Sequence, residues 1–147
     1  MSLYTFIKKN NKFLFVIWLL LIIIVSSIPR LPILKIKTSG SSIRLDYLIH
    51  FLEYFILSVF FFLWRMNNTR LKFNKILLYV AIGICFAFID ETYQILIPGR
   101  KFNMVDLLFD SFGFSVGIFL IFFITLVHLK NSSEQYDTKK NKKKIGN

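Results

Sequence analysis

Hydrophobic positions in this chain come in long unbroken blocks, unlike the alternation of a half-buried strand or the one-sided stripe of a soluble helix. An uncharged run from Phe13 to Ile28 follows Lys8, Lys9 and Lys12, and further blocks cover Leu45 to Trp64, Ile76 to Ile97 and Met104 to Leu129. The last three reach the roughly 20 residues that a helix needs to cross the hydrocarbon of a bilayer. The first is at the short end of that range, can extend toward Leu31, and is ended by Pro29 and Pro32. The same run has the size of the apolar core of a signal peptide, and Val25-Ser26-Ser27 resembles a cleavage site. A retained first helix is the preferred reading, because the run can lengthen to spanning size.

The segments between the blocks are polar. Residues 33–44, ILKIKTSGSSIR, form a polar link; 65–75 form a short basic link; Pro98-Gly99 is a turn. The tail ends in KKNKKK (residues 139–144), too charged to pack and expected to be disordered. The predicted fold class is therefore an all-α integral membrane protein, a four-transmembrane-helix bundle with both termini cytoplasmic. Residues 1–12 would be a cytoplasmic N-terminus, 13–129 the membrane domain and 130–147 a basic cytoplasmic tail. No internal repeat is present.

Composition supports this class, with 55% of the 147 residues hydrophobic and 18% aromatic. The net charge of +11 would ordinarily suggest a nucleic-acid partner. Here its distribution gives another reading. With a cytoplasmic N-terminus, thirteen Lys and Arg fall in the inner segments and six in the outer links, the bias expected of membrane topology. Trp64 and Tyr79 then lie near the inner interface, and Tyr47 and Tyr93 near the outer one. Membrane lipid is the implied partner, and nucleic acid is not. The single cysteine, Cys85, lies inside an apolar run and reads as a buried, inert thiol.

Against this background the stretch Asp90 to Asp110, DETYQILIPGRKFNMVDLLFD, is anomalous. Each ionised group costs about 3 kcal/mol at a bilayer centre, less near an interface, so such groups need partners or a task. In the predicted topology Asp46 and His50, Glu91 and Gln94, and Asp106 and Asp110 all lie within roughly 10 Å of the outer interface, at about 1.5 Å per residue. Residues four apart share a helix face. Asp46, His50, Tyr54 and Ser58 make one ladder, with Glu53 flanking it. Gly83, Ala87, Glu91 and Gln94 make a second, with Asp90 beside it. Asp106, Asp110, Gly113 and Gly117 make a third, and its GxxxG should let two backbones approach. The faces are predicted to meet and to form a polar pocket open to the outside.

The candidate ligand-binding residues are Asp46, His50, Tyr54, Asp90, Glu91, Gln94, Arg100, Asp106 and Asp110. Plainer roles compete with this one. Asn103 and Asp106 fit a helix cap with a carboxylate in the first turn, Arg100 fits an ion pair with Glu91 or Asp106, and Tyr54 and Ser58 fit interhelical hydrogen bonding. Arg100 and the amides opening the fourth helix suit a phosphate or carboxylate. The carboxylates suit an amine, or a divalent cation bridging to an anionic head group. No cofactor is otherwise implied, and no spacing selects a particular metal. An intramembrane hydrolase or transferase acting on a lipid-linked substrate is the alternative. There His50 or Glu91 would be the general base, Asp46 would orient the imidazole, and Arg100 would stabilise negative charge. No nucleophile elbow, metalloprotease helix or phosphate loop is present. Acidic groups at one side only argue against a transport path.

Three blocks, Asp46 to Tyr54 (DYLIHFLEY), Asp90 to Arg100 (DETYQILIPGR) and Asp106 to Gly113 (DLLFDSFG) with Gly117 beyond, resemble the VanZ-like family of small bacterial membrane proteins. The resemblance covers about half the chain, Asp46 to Gly117. It departs from the commonest pattern at Tyr47, where lysine is frequent, and at Asp110, where asparagine is frequent. The resemblance implies a multi-pass protein of the bacterial plasma membrane, linked to the cell envelope and to low-level resistance to the glycopeptide antibiotic teicoplanin. A glycopeptide or a lipid-linked envelope intermediate is then the expected ligand.

Overall fold

The computed structural model describes residues 3–29, 35–38, 41–65 and 73–145. In chain order the elements are α1 (Leu3–Ser26), β1 (Lys35–Thr38), β2 (Ser41–Arg44), α2 (Asp46–Arg65), α3 (Phe73–Gln94) and α4 (Met104–Ile145). Among the described residues three helices are long and apolar enough to cross a membrane: α2, α3 and the part of α4 from Met104 to His128. The apolar part of α1, Asn10–Ser26, is shorter.

Two expectations are replaced. The polar link after α1, part of a fold read as all-α, holds a two-stranded antiparallel ribbon in which Lys35 pairs with Arg44 and Thr38 with Ser41. KIKT and SSIR are each four residues long and polar at three of them, too short and too polar for a strand period to show, and Ser39-Gly40 between them is the turn signal in the sequence. The tail is helical as far as Ile145, so the segment read as disordered continues α4 to 42 residues. Its many lysines are good helix formers, neither Gly nor Pro interrupts it before Gly146, and extending a formed helix is far easier than nucleating one.

Helix α2 packs along α4, and glycines set how closely. A Cβ on Gly113 would collide with the main-chain oxygen of Phe51, and one on Gly117 would meet the Ser58 hydroxyl and lie 2.9 Å from the Phe55 oxygen. The GxxxG of α4 therefore lies against two carbonyls one turn apart on α2, the close backbone approach that small residues allow in a bilayer. On α3, Gly83 makes room for the ring of Phe114. The buried positions of α3, Ile76, Tyr79, Gly83, Ala87, Asp90, Glu91 and Gln94, are one continuous face.

The core beneath the polar end is aromatic: Tyr54, Phe61, Phe62 and Phe114 are buried, with Leu57, Ile76 and Ile118 between them. Helix α1 joins this core through Phe15, which stacks on Trp64 at 5.2 Å and packs against Phe61 at 5.5 Å. Two hydrogen bonds fix its register on α2, from Trp18 Nε1 to the Glu53 oxygen at 2.8 Å and from Asn11 Nδ2 to the Leu63 oxygen at 2.9 Å. Outward positions such as Leu48, Leu52, Phe88, Phe112 and Phe123 are exposed and apolar, as a lipid solvent requires, and Cys85, expected to be buried, is exposed on an outward face of α3. Ser58, Thr92, Ser115 and Thr125 each donate to a carbonyl of their own helix, so their hydroxyls carry no unmet demand into hydrocarbon. For Ser58 this replaces the expected interhelical hydrogen bond.

Candidate functional site

At one end of the bundle, polar residues that are far apart in sequence converge. The start of α2, the end of α3 and the start of α4 lie together there, because α3 runs antiparallel to its neighbours through two short connections. His50 Nδ1 lies 3.1 Å from Asp110 Oδ1, and its Nε2 lies 3.7 Å from Asp106 Oδ2. Both carboxylates are on the face of α4 that Gly113 and Gly117 continue, so the close approach of α2 and α4 brings the imidazole to them. Glu91 enters from α3. Its Oε2 accepts from the main-chain N–H of Asn103 at 3.0 Å, and its Oε1 accepts from Gln94 Nε2 at 3.2 Å.

A second part of the network reaches α1. Gln94 Nε2 also lies 3.3 Å from Asp90 Oδ2, and the Ser26 hydroxyl donates to that same oxygen at 3.0 Å. Arg100 donates from Nη1 to Gln94 Oε1 at 2.9 Å, from Nη2 to the Val25 oxygen at 3.0 Å, and from Nε to the Ile28 oxygen at 3.2 Å. Ser27 and Tyr93 share a hydroxyl–hydroxyl bond of 3.0 Å. Arg100 is placed by a turn in which its N–H bonds the Ile97 oxygen at 3.0 Å, with Pro98 and then Gly99 at φ 85° between them. A left-handed third residue after proline is the type II turn, and glycine adopts it without strain.

Burial makes the cluster unusual. Glu91 and Asp110 expose no surface at all, and Asp90, Gln94 and Asp106 are buried. His50 and Asp106 keep 16% and 12% of their side-chain surface. Asp90 Oδ1 and Asp110 Oδ2 are buried without a hydrogen-bond partner, although buried carboxylate oxygens are normally satisfied. One donor atom each from His50, Glu91 and Asp110 lies within 4.8 Å of the others, a spacing on which a metal ion could be held.

Of the residues singled out in the sequence, His50, Glu91, Asp106 and Asp110 form the centre, and Asp90, Gln94 and Arg100 form the adjoining network. Asp46 is half-buried at the start of α2, one turn before His50. Tyr54 is buried one turn beyond His50, in the aromatic layer. The predicted ion pair of Arg100 with Glu91 or Asp106 is replaced by bonds to an amide and two carbonyls. The α4 amides are also partly committed, since Val105 N–H bonds Asn103 Oδ1 at 3.1 Å and Asn103 N–H bonds Glu91. Ser26 and Ser27 were missed as members of the network. Their position at the end of an apolar run made them resemble a processing site, and only the tertiary packing of α1 brings them to Asp90 and Tyr93.

Three apolar spanning helices and a converged polar end define a small helical membrane protein with an ionisable centre. The family model described as VanZ/LLP1 matches residues 2–127, from α1 through the apolar part of α4, and the chain belongs to this VanZ-like family. No curated protein and no solved structure matches the chain significantly.

Proposed function

We propose that the protein sits in the bacterial plasma membrane with four spans and both termini cytoplasmic, and that its polar end faces outward and binds a glycopeptide or a lipid-linked envelope intermediate. The observation that carries this reading is that His50 and Asp106, which keep 16% and 12% of their side-chain surface, adjoin Glu91 and Asp110, which keep none. A ligand can meet the first pair directly and the second through it. Family membership supports a link to the cell envelope and to low-level teicoplanin resistance.

The chemistry favours a cationic ligand group over an anionic one. Arg100, the Asn103 N–H just before α4 and the Val105 N–H in its first turn, all natural anion donors, already serve Gln94 and two main-chain carbonyls, Glu91, and the Asn103 side chain. What remains is a group of carboxylates with one imidazole, which complements an amine. The test is binding of teicoplanin to the purified protein in lipid nanodiscs. Saturable binding that Asp106→Asn and Glu91→Gln each weaken about tenfold, the scale of one charge-assisted contact, is the expected result. Equal binding by all three proteins would place the ligand elsewhere.

The hydrolase or transferase reading is favoured by one observation, the 3.1 Å contact of His50 with Asp110. A carboxylate that orients an imidazole is a general-base arrangement, with Asp110 in the role first given to Asp46. Turnover of a lipid-linked substrate by the purified protein, abolished in His50→Gln, would establish it.

A further inference from the structure

We propose that His50, Glu91 and Asp110 form a binding site for a divalent transition-metal ion of the zinc type. The site lies inside the cluster described above but stands independently of the glycopeptide reading. Three helices supply one donor each, and these donors lie within 4.8 Å of one another. Bonds of about 2.0–2.2 Å in a tetrahedral shell would put the donors roughly 3.4 Å apart, so closure requires only modest side-chain adjustment.

A second observation points to a cation. Asp110 is wholly buried, its Oδ1 faces His50, and its Oδ2 has no partner. A buried carboxylate oxygen is costly without a donor, and a cation supplies the missing one. The imidazole of His50 is in contact with both Asp110 and Asp106, while Arg100 turns to Gln94 and to α1. Asp90, Glu91, Asp106 and Asp110 therefore crowd negative charge into a region that a divalent ion would neutralise.

The donor set chooses among ions. Magnesium and calcium favour all-oxygen shells, whereas an imidazole nitrogen beside carboxylates suits zinc and its neighbours. Glu91 is braced by Gln94 and Asn103, the kind of outer contact that holds a ligating carboxylate in place. Three protein donors leave a position open, and Asp106, 3.7 Å from His50 Nε2, stands beside it.

The experiment uses the full chain, purified in detergent without a histidine tag, stripped with a chelator and titrated with Zn²⁺ in the absence of any glycopeptide. Saturable uptake of one ion per chain is expected, retained in excess Mg²⁺ and weakened about tenfold or more in Glu91→Gln and in Asp110→Asn. A second readout leaves the cluster intact. The chain has two histidines, so in His128→Gln only His50 remains, and Zn²⁺ should protect it from diethylpyrocarbonate. No saturable uptake by the wild type, or His50 modified equally with and without Zn²⁺, would overturn the site. Teicoplanin binding that persists in chelator would then leave the ligand reading intact, so the two ideas fail separately.

Discussion

His50 and Asp110 show what individual residues contribute. An imidazole and a fully buried carboxylate at 3.1 Å form a charge-assisted contact across the α2–α4 interface, stronger here than at a surface because water is excluded. A double-mutant cycle with His50→Gln and Asp110→Asn, read by unfolding in detergent, should give a coupling energy of about 1–3 kcal/mol. Strict additivity would mean that the pair does not interact. The polar members of this centre were legible because an ionisable group in a spanning segment is costly and so conspicuous. The partners of Arg100 were not, since two of the three are main-chain carbonyls that no side-chain pattern encodes. Ser26, Asn11 and Trp18 were hidden for a related reason: each acts through a tertiary contact of α1.

Among the elements, α4 bears most of the architecture. Its Asp106, Asp110, Gly113 and Gly117 share one face, so the residues that need a partner and the residues that admit one are in register. Spacing by four and three was enough to read this face and its counterpart on α3. Gly113→Ala should destabilise the protein by about 1–3 kcal/mol, because the added methyl meets the Phe51 carbonyl, which cannot yield without moving α2. Gly99→Ala should cost about 1–2 kcal/mol by holding an L-residue at φ 85°, and should loosen Arg100 from α1. Both are read from thermal unfolding in micelles, and a neutral result at either position would contradict the packing or the turn assigned to it. The β1–β2 ribbon and the helical tail were not legible, for opposite reasons. Four-residue strands are too short for a period to stand out, and a run of charge says more about solvation than about backbone conformation.

At the scale of the molecule, the polar network closes one end of a bundle whose other faces are made for lipid. Helix α1 is tied to α2 by Asn11 and Trp18 along its length, and to α3 by the bond from Ser26 to Asp90 at the polar end. In the proposed topology, which rests on the charge bias, the polar end faces outside. With Cys85 replaced by serine, Lys101→Cys should react with a membrane-impermeant maleimide in intact cells and Asn131→Cys only after lysis; the reverse pattern would invert the topology. The claim on which the account turns is that the buried centre is a site of function as well as a fastening between helices. Its most direct test is teicoplanin and vancomycin susceptibility of a sensitive Gram-positive host expressing the wild type, His50→Gln or Glu91→Gln at equal membrane levels. A teicoplanin-selective gain in resistance from the wild type that both variants lose is the expected result. No gain from the wild type, or a gain that both variants keep in full, would contradict it.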